Sequence, residues 1–444
     1  MIFGGLIIFI SLLIGTPYLG GLNSYRNRIV VPEAGTISEM SEFSDKQVQV
    51  IDKEVSKSLA DRVFGEMGAQ IVSQYQMPDI YNQCVVNNVM YRLTPVEFSG
   101  FIKWMSTRSN GTPGFISVDV SDGTTVFHKV DEGLTFTNNA YFLANLNLHV
   151  RLQYPAKILG EVKFEVDDSW NPYWVTKCLK YSFISKAVDV EGVIITSPID
   201  GKSNYYPVGE IPSWVDNVYG PSMVCEQYNS YSQYRYGLFN FAQKGITSTT
   251  DDYAYLQKDG HLWIYTGVTS VGSDESNVGY MYIDLQNKDV IYIESAGAEE
   301  YSARASAEGA VQEKGYQALF PTMVNIQGEE VYFMGLKDNA GLIKEYAFVS
   351  YKNYQKVGTG KSIQEALINF SGKNIVTSQA TDIKEITVND IESAVVDGYT
   401  IYYIQTIENE IYTCSIEISD RLPFIKPLDV LKVTVSDNMI ISIE

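Results

Sequence analysis

The sequence predicts an α+β chain: an N-terminal membrane helix, repeated antiparallel β-hairpins each backed by a helix, and a small C-terminal β-barrel of the OB or SH3-like kind. Three observations predict it. Three stretches align without a gap, Gly114 to Val130, Gly192 to Val208 and Gly279 to Ser295. Each opens with Gly, alternates for six residues, and places Asp122, Asp200 or Asn287 at its ninth position and Phe127, Tyr205 or Tyr292 at its fourteenth. Alternation broken by Asp-Gly or Asn is what a hairpin requires. The first 25 residues carry no charge, and Ile2 to Ile14 is apolar. From Asn374 onward, five or six short strands are punctuated by Asp397-Gly398 and Asn409, a count that suits a small closed barrel.

Taken in order, residues 1–22 read as the anchor and 23–46 as a polar linker. Residues 47–219 and 220–371 read as two α+β regions, and 374–444 as the barrel. Arg26 and Arg28 follow the apolar stretch, which alone would keep the body cytoplasmic. The Tyr-rich acidic body and its polar hairpins point the other way, to an extracytoplasmic body at the cell membrane. The conflict resolves if Met1 is not the native start and earlier spans set the orientation. Asp52 to Met67 is a helix capped by Asp52, with Val55, Leu59 and Val63 at helical spacing. Thr94-Pro95-Val96-Glu97 reads as a capping box opening a helix that runs to Asn110-Gly111. Asn138 to Leu152, Glu210 to Tyr219, Pro221 to Ala242, Ala298 to Lys314 and Ser362 to Phe370 read as further helices among the strands.

Bulk composition narrows the function. At 444 residues the chain can bury real cores without staples. The 53 acidic against 33 basic residues give a net charge of −20, which repels phosphate backbones, so no nucleic-acid partner is expected. Cys84, Cys178, Cys225 and Cys414 form no metal-ligand spacing and read as free thiols. His128, His149 and His261 sit in apolar or aromatic segments and read as satisfied structural imidazoles. No cofactor or metal is expected.

Several longer runs carry a family resemblance. They include Val50-Ile-Asp-Lys-Glu-Val-Ser-Lys-Ser-Leu-Ala-Asp-Arg62, Tyr91-Arg-Leu-Thr-Pro-Val-Glu-Phe-Ser-Gly-Phe-Ile-Lys-Trp104, Thr266-Gly-Val-Thr-Ser-Val-Gly-Ser-Asp-Glu-Ser-Asn277 and Leu336-Lys-Asp-Asn-Ala-Gly341. Over roughly residues 50–370 the chain resembles a bacterial membrane-anchored protein family. The hairpin-plus-helix units are also similar to PepSY (cystatin-like) modules. The first resemblance implies an envelope setting and no particular catalysis. The second implies a module that restrains peptidases.

The candidate surface joins Asp274, Glu275 and Asn277, in the loop after Thr266, to Glu299, Glu300, Arg304 and Glu308 on the following helix. Carboxylates and amide oxygens suit a hard cation, but the spacing is not that of an EF-hand. Glu300, Arg304 and Glu308 stand four apart, so two carboxylates flank a guanidinium and suit a zwitterionic ligand. Glu165, Asp167 and Asp168 raise a glycosidase-like carboxylate pair. The expected function is a membrane-tethered envelope protein that binds, scaffolds or regulates without catalysis, with another envelope protein or a glycan as partner. The alternatives are an envelope hydrolase using a carboxylate pair and a peptidase-restraining module.

Overall fold

Four antiparallel meanders in chain order build the body of the computed structural model, which is described for residues 22–182, 187–237, 240, 242–270, 276–372, 382–396, 399–419, 421–436 and 439–443. The first sheet holds Asn82–Val86 (β1), Val89–Pro95 (β2), Thr112–Asp119 (β3) and Thr125–Leu134 (β4). The second holds Ile158–Val166 (β5), Pro172–Tyr181 (β6), Val188–Thr196 (β7) and Ser203–Pro207 (β8). Ala254–Lys258 (β9), His261–Ser270 (β10), Asn277–Asp284 (β11) and Val290–Ile293 (β12) make the third, with the short strand Thr247–Thr249 also on β10. Thr322–Ile326 (β13), Glu329–Lys337 (β14), Ile343–Ser350 (β15) and Val357–Gly360 (β16) make the fourth, with Gln317–Ala318 added to β14.

A helix precedes the first sheet, Lys53–Glu66 (α1), and Phe101–Thr107 (α2) lies between β2 and β3. One helix then follows each sheet: Leu146–Gln153 (α3), Pro221–Tyr234 (α4), Glu300–Ala310 (α5) and Ile363–Ser371 (α6). Four of these six are started by local chemistry. Asp52 accepts the Val55 amide at 2.8 Å to cap α1, Asn145 caps α3 through Leu148, Ser362 caps α6 through Glu365, and Pro221 opens α4.

The central strands of each sheet are largely buried on both faces, and the sheets pack in cyclic order. Phe115 and Leu93 of the first meet Phe164, Trp174 and Ile194 of the second. Val175, Val193 and Ile195 of the second meet Leu262, Ile264 and Met281 of the third, in a cluster that draws on both sides of residue 219. Tyr265, Tyr280 and Tyr282 of the third meet Tyr332, Met334 and Val349 of the fourth. The far face of the fourth, Val331, Phe333 and Phe348, packs on Val48, Val50 and Val55 and on α6. Helix α1 then carries Ala60 and Phe64 onto Ile116 and Val118 of the first sheet, which closes the ring. At the centre β1 contacts β5 and β10, and β9 contacts β13. The arrangement is a propeller-like ring of four units.

This corrects the expected fold class. The body is mainly β-sheet, and the repeated unit is a four-strand meander followed by a helix, not a PepSY-like hairpin plus helix. The three aligned stretches are the outer hairpins, β3–β4, β7–β8 and β11–β12, of the first three units. Their ninth residues make the same turn, since Asp122, Asp200 and Asn287 accept the amides of Thr124, Lys202 and Asp289 at 2.7, 3.2 and 2.7 Å. Asn353 accepts the Gln355 amide at 3.3 Å in the fourth unit, which the alignment does not reach. The next position is left-handed in the first three: φ is 81° at Gly123, 74° at Gly201 and 66° at Lys288. Lys288 bears the strain of a non-glycine there because its ammonium bonds Asp189 Oδ1 at 3.0 Å and the Arg28 carbonyl at 2.6 Å.

The inner strand pairs of the second, third and fourth units are read from the sequence near their observed places, and the inner hairpin of the first is hidden. Asn87-Asn88, Asp259-Gly260 and Gln327-Gly328 all have positive φ at both residues, the two-residue turn that right-twisted strands prefer. Asn87-Asn88 divides a stretch that reads as one strand.

Membrane character finds no support in the structure: among the described residues no helix is long and apolar enough to cross a bilayer. Residues 1–21 of the expected anchor lie outside the described residues. The expected helix at Thr94-Pro95 is also overturned, because Thr94 and Pro95 end β2 opposite Ile116 and Phe115, and α2 starts only after Gly100. Segment Glu210 to Tyr219 is not helical. After α6, Asp382–Val396 (β17), Tyr399–Thr406 (β18), Ile411–Ser415 (β19), Val430–Ser436 (β20) and Met439–Ile443 (β21) form a closed barrel with its own core around Val388, Ile404 and Val433.

Candidate functional site

Helix α5 separates two polar environments. Its small residues Ala303 and Ala307 are fully buried and let the helix lie close on the third and fourth sheets. Glu300, Arg304 and Glu308 lie four apart, and each such step turns about 40° around the axis. Glu300 therefore points under the helix while Arg304 and Glu308 rotate toward its edge.

Glu300 is sealed, at 0 % exposure. Its Oε1 accepts the Tyr265 hydroxyl at 2.7 Å and its Oε2 accepts the Asn277 amide at 3.3 Å. Asn277 also donates to the Tyr332 hydroxyl at 3.2 Å, and that hydroxyl donates to the Ala298 carbonyl at 2.9 Å. The network lies over Gly267, where a Cβ would collide with the Glu300 carboxylate. Burial raises the Glu300 pKa, opposed by the bonds from Tyr265 and Asn277.

Arg304 and Glu308 face a cleft of about 570 Å³ that they share with Asp52, Asp252, Lys337, Gln49 and Gln317. Tyr253, Ala254, Leu319 and Phe320 give it an apolar wall. Lys337 reaches it through a register shift between Leu336 and Lys337 in β14, a bulge that re-aims the side chain. Its ammonium bonds Asp52 Oδ2 at 2.8 Å and Glu54 Oε2 at 3.4 Å. Burial works against that charge, but the bonds to Asp52 outweigh it and hold the Lys337 pKa above its ordinary value. Glu308 Oε1 accepts the Ala318 amide at 2.9 Å. Arg304 differs: its Nε is buried without a hydrogen-bond partner. The cleft is thus amphoteric, with one guanidinium donor left over.

A third polar cluster sits at the ring centre. Glu165 accepts the amides of Asp216 at 2.9 Å and Asn217 at 3.3 Å, and Asp216 accepts those of Val85 at 2.6 Å and Leu262 at 3.2 Å. These bonds stitch the first three sheets through segment 215–217. Burial, and then the neighbouring Glu165 carboxylate, push Asp216 well above the usual range.

Of the expected site residues, Arg304 and Glu308 come together in the cleft. Asn277 and Glu300 belong to the sealed network, and Glu299 is the residue preceding α5, partly exposed. Asp274 and Glu275 lie outside the described residues. Of the candidate carboxylates, Glu165 is buried at the centre, and Asp167 holds its own turn by accepting the amides of Ser169 and Asn171 at 2.9 Å each. Asp52 is legible only as a helix cap, and Asp252 and Lys337 carry no local signal, because the ring brings them together from distant segments.

None of the three histidines lines the cleft. His128 bonds Ser117 Oγ at 2.8 Å between the Phe115 and Trp170 rings, His149 bonds the Gly201 carbonyl at 2.7 Å, and His261 bonds Asp284 Oδ2 at 2.7 Å. The four cysteines are free. Among the described residues no group of three or more His, Cys, Asp or Glu side chains is placed to hold a metal ion.

No protein-family model matches the chain, and no curated protein does. Among solved structures, an exo-1,5-alpha-L-arabinanase from a bovine ruminal metagenomic library is similar at a TM-score of 0.18 and 10 % identity, covering 83 % of this chain and 98 % of that one. A levansucrase mutant of B. megaterium is similar at 0.16 and 8 % identity, covering 91 % and 97 %. Likenesses this remote bear on neither fold nor activity.

Proposed function

We propose that the protein is a binding protein of non-catalytic type, and that the cleft beside α5 takes a zwitterionic, peptide-like ligand. The Arg304 guanidinium, which lines the cleft and makes no hydrogen bond or ion pair among the described residues, carries the reading. A ligand carboxylate in the cleft would give that charge an anionic, bidentate partner in place of solvent. Asp252 and Glu308 supply negative charge for an ammonium group, and Tyr253, Leu319 and Phe320 supply apolar contact for the rest.

The lining argues for binding over turnover. Among the described residues it contains no serine, cysteine, threonine or histidine. Its Asp52 carboxylate caps α1 and pairs with Lys337, while Glu308 holds the Ala318 amide, so both are engaged in the fold. Titration calorimetry with a panel of short zwitterionic peptides tests the proposal. Arg304→Gln is expected to weaken binding by about tenfold or more, the value of one charge-assisted bond, at unchanged melting temperature. Equal affinity in the variant, or hydrolysis of any panel peptide by the native protein, overturns it.

A further inference from the structure

A second surface stands apart from the cleft, on α2 and the 3-10 turn Phe142–Ala144. Ile102, Met105, Phe142 and Leu143 are 81, 51, 67 and 65 % exposed. They stand on a floor that is well built. Trp104 is 3 % exposed and its ring lies 5.4 Å from Tyr141 and 5.8 Å from Phe142, while Phe101 meets Tyr141 at 5.0 Å. Phe142 holds a φ of 54°, a left-handed conformation that costs a bulky residue about 1 kcal/mol or more. That backbone turns a large apolar ring out to solvent. Four exposed apolar side chains over a packed aromatic floor are what an interaction surface displays.

The segments that carry it are basic, unlike the chain as a whole. The chain has 53 acidic residues in 444, yet residues 98–118 and 133–160, which carry this surface, contain no Asp or Glu. They do contain Lys103 and Arg108, and the Arg108 guanidinium sits 5.4 Å from the Trp104 ring centre. Among the described residues neither cation pairs with a carboxylate.

We infer that this face docks an acidic, apolar segment of another polypeptide. The Lys103 ammonium donates to the Ser73 carbonyl, and the apolar side chains supply the contact, while these two cations, neither neutralised by a carboxylate, select an acidic over a basic partner. A narrow segment is favoured over an anionic lipid plane on physical grounds. Fields between exposed charges die away within roughly 8–10 Å at ordinary ionic strength, so a narrow segment meets mainly Lys103 and Arg108. An extended anionic plane would meet more of a surface whose net charge is −20.

The test uses the full chain and a synthetic amphipathic peptide with leucines along one face and glutamates along the other. A sibling peptide carries lysines in place of the glutamates, and phosphatidylglycerol vesicles form a third arm. The glutamate peptide is expected to bind, the lysine peptide to bind at least about tenfold more weakly, and added salt to narrow the gap. The double variant Lys103→Gln/Arg108→Gln is expected to lose about tenfold for the glutamate peptide only. Phe142→Ser, checked for folding by its melting curve, is expected to weaken both peptides. No binding by the glutamate peptide, equal binding of both peptides, indifference to the charge variant, or stronger capture by vesicles than by peptide each overturns the inference.

Discussion

Glu300 and Glu308 stand two turns apart on α5, yet one is fully enclosed and satisfied by a tyrosine and an amide while the other borders a solvent-filled cleft. The difference lies in the partners, since the residue type and the helix are the same. Around Glu300, the donors come from β10 and β11, and the removal of Cβ at Gly267 makes room for the carboxylate. Around Glu308, the neighbours are charged side chains drawn from α5, β14 and the α1 cap, and Arg304 keeps an unmet donor. A carboxylate whose oxygens are fully spoken for reports on folding. Where a charged group keeps spare valence at a cavity, it reports on binding.

The contrast breaks most easily at its sealed end. Glu300→Ala leaves the Tyr265 hydroxyl and the Asn277 amide without their acceptor in a dry core and should cost about 3 kcal/mol. Glu308→Ala removes one acceptor at the rim of the cleft and should cost about 1 kcal/mol or less. Urea unfolding midpoints at matched slope measure both. Losses of equal size would mean that the cleft is as structural as the core.

A pH series sharpens the sealed side. Glu97 is another buried carboxylate, but its Oε1 has no hydrogen-bond partner, and burial pushes its pKa up to about 7 from an ordinary 4.5. Between those values the folded state holds a proton that the unfolded state has lost, so the contribution of Glu97 is fully present below about pH 4.5 and is lost as pH rises to about 7. The loss is up to about 3 kcal/mol. Glu97→Gln cannot titrate, so its stability relative to the native protein should rise by that amount across the window. A constant difference between the two would show that Glu97 titrates normally in the fold.

The outer hairpins were legible because their turns use Asp-Gly or Asn with an alternating flank, and the α1 cap because Asp52 precedes an apolar stripe. The four-strand unit was not. Asn87-Asn88 lacks the glycine that marks the inner turns of the third and fourth units, and Pro95 resembles a helix start until its pairing with Phe115 is seen. Arg304 and Glu308 were visible as a charged helix face. Their partnership with Asp52, Asp252 and Lys337 was not, because it depends on a ring closed by α1 and on a bulge in β14, and neither has a local sequence sign. The same holds for Glu300: its spacing placed it with Arg304 and Glu308 on a ligand-facing surface, and the glycine opposite it makes room for its burial.

The smallest expected change is also the cleanest test of the open side. The Asp252 side chain accepts only the amide of the next residue, Tyr253, at 3.0 Å, and an asparagine oxygen can accept it equally well. Asp252→Asn should therefore shift stability by no more than about 0.5 kcal/mol, within the range of an ordinary surface change. It also removes one of the charges that would face a ligand ammonium, so peptide affinity should fall while the melting curve stays put. Suppose instead that the melting temperature drops and affinity does not. Then the carboxylates of the cleft hold the third and fourth sheets together, and the spare donor on Arg304 is a defect of packing, not an invitation to a ligand.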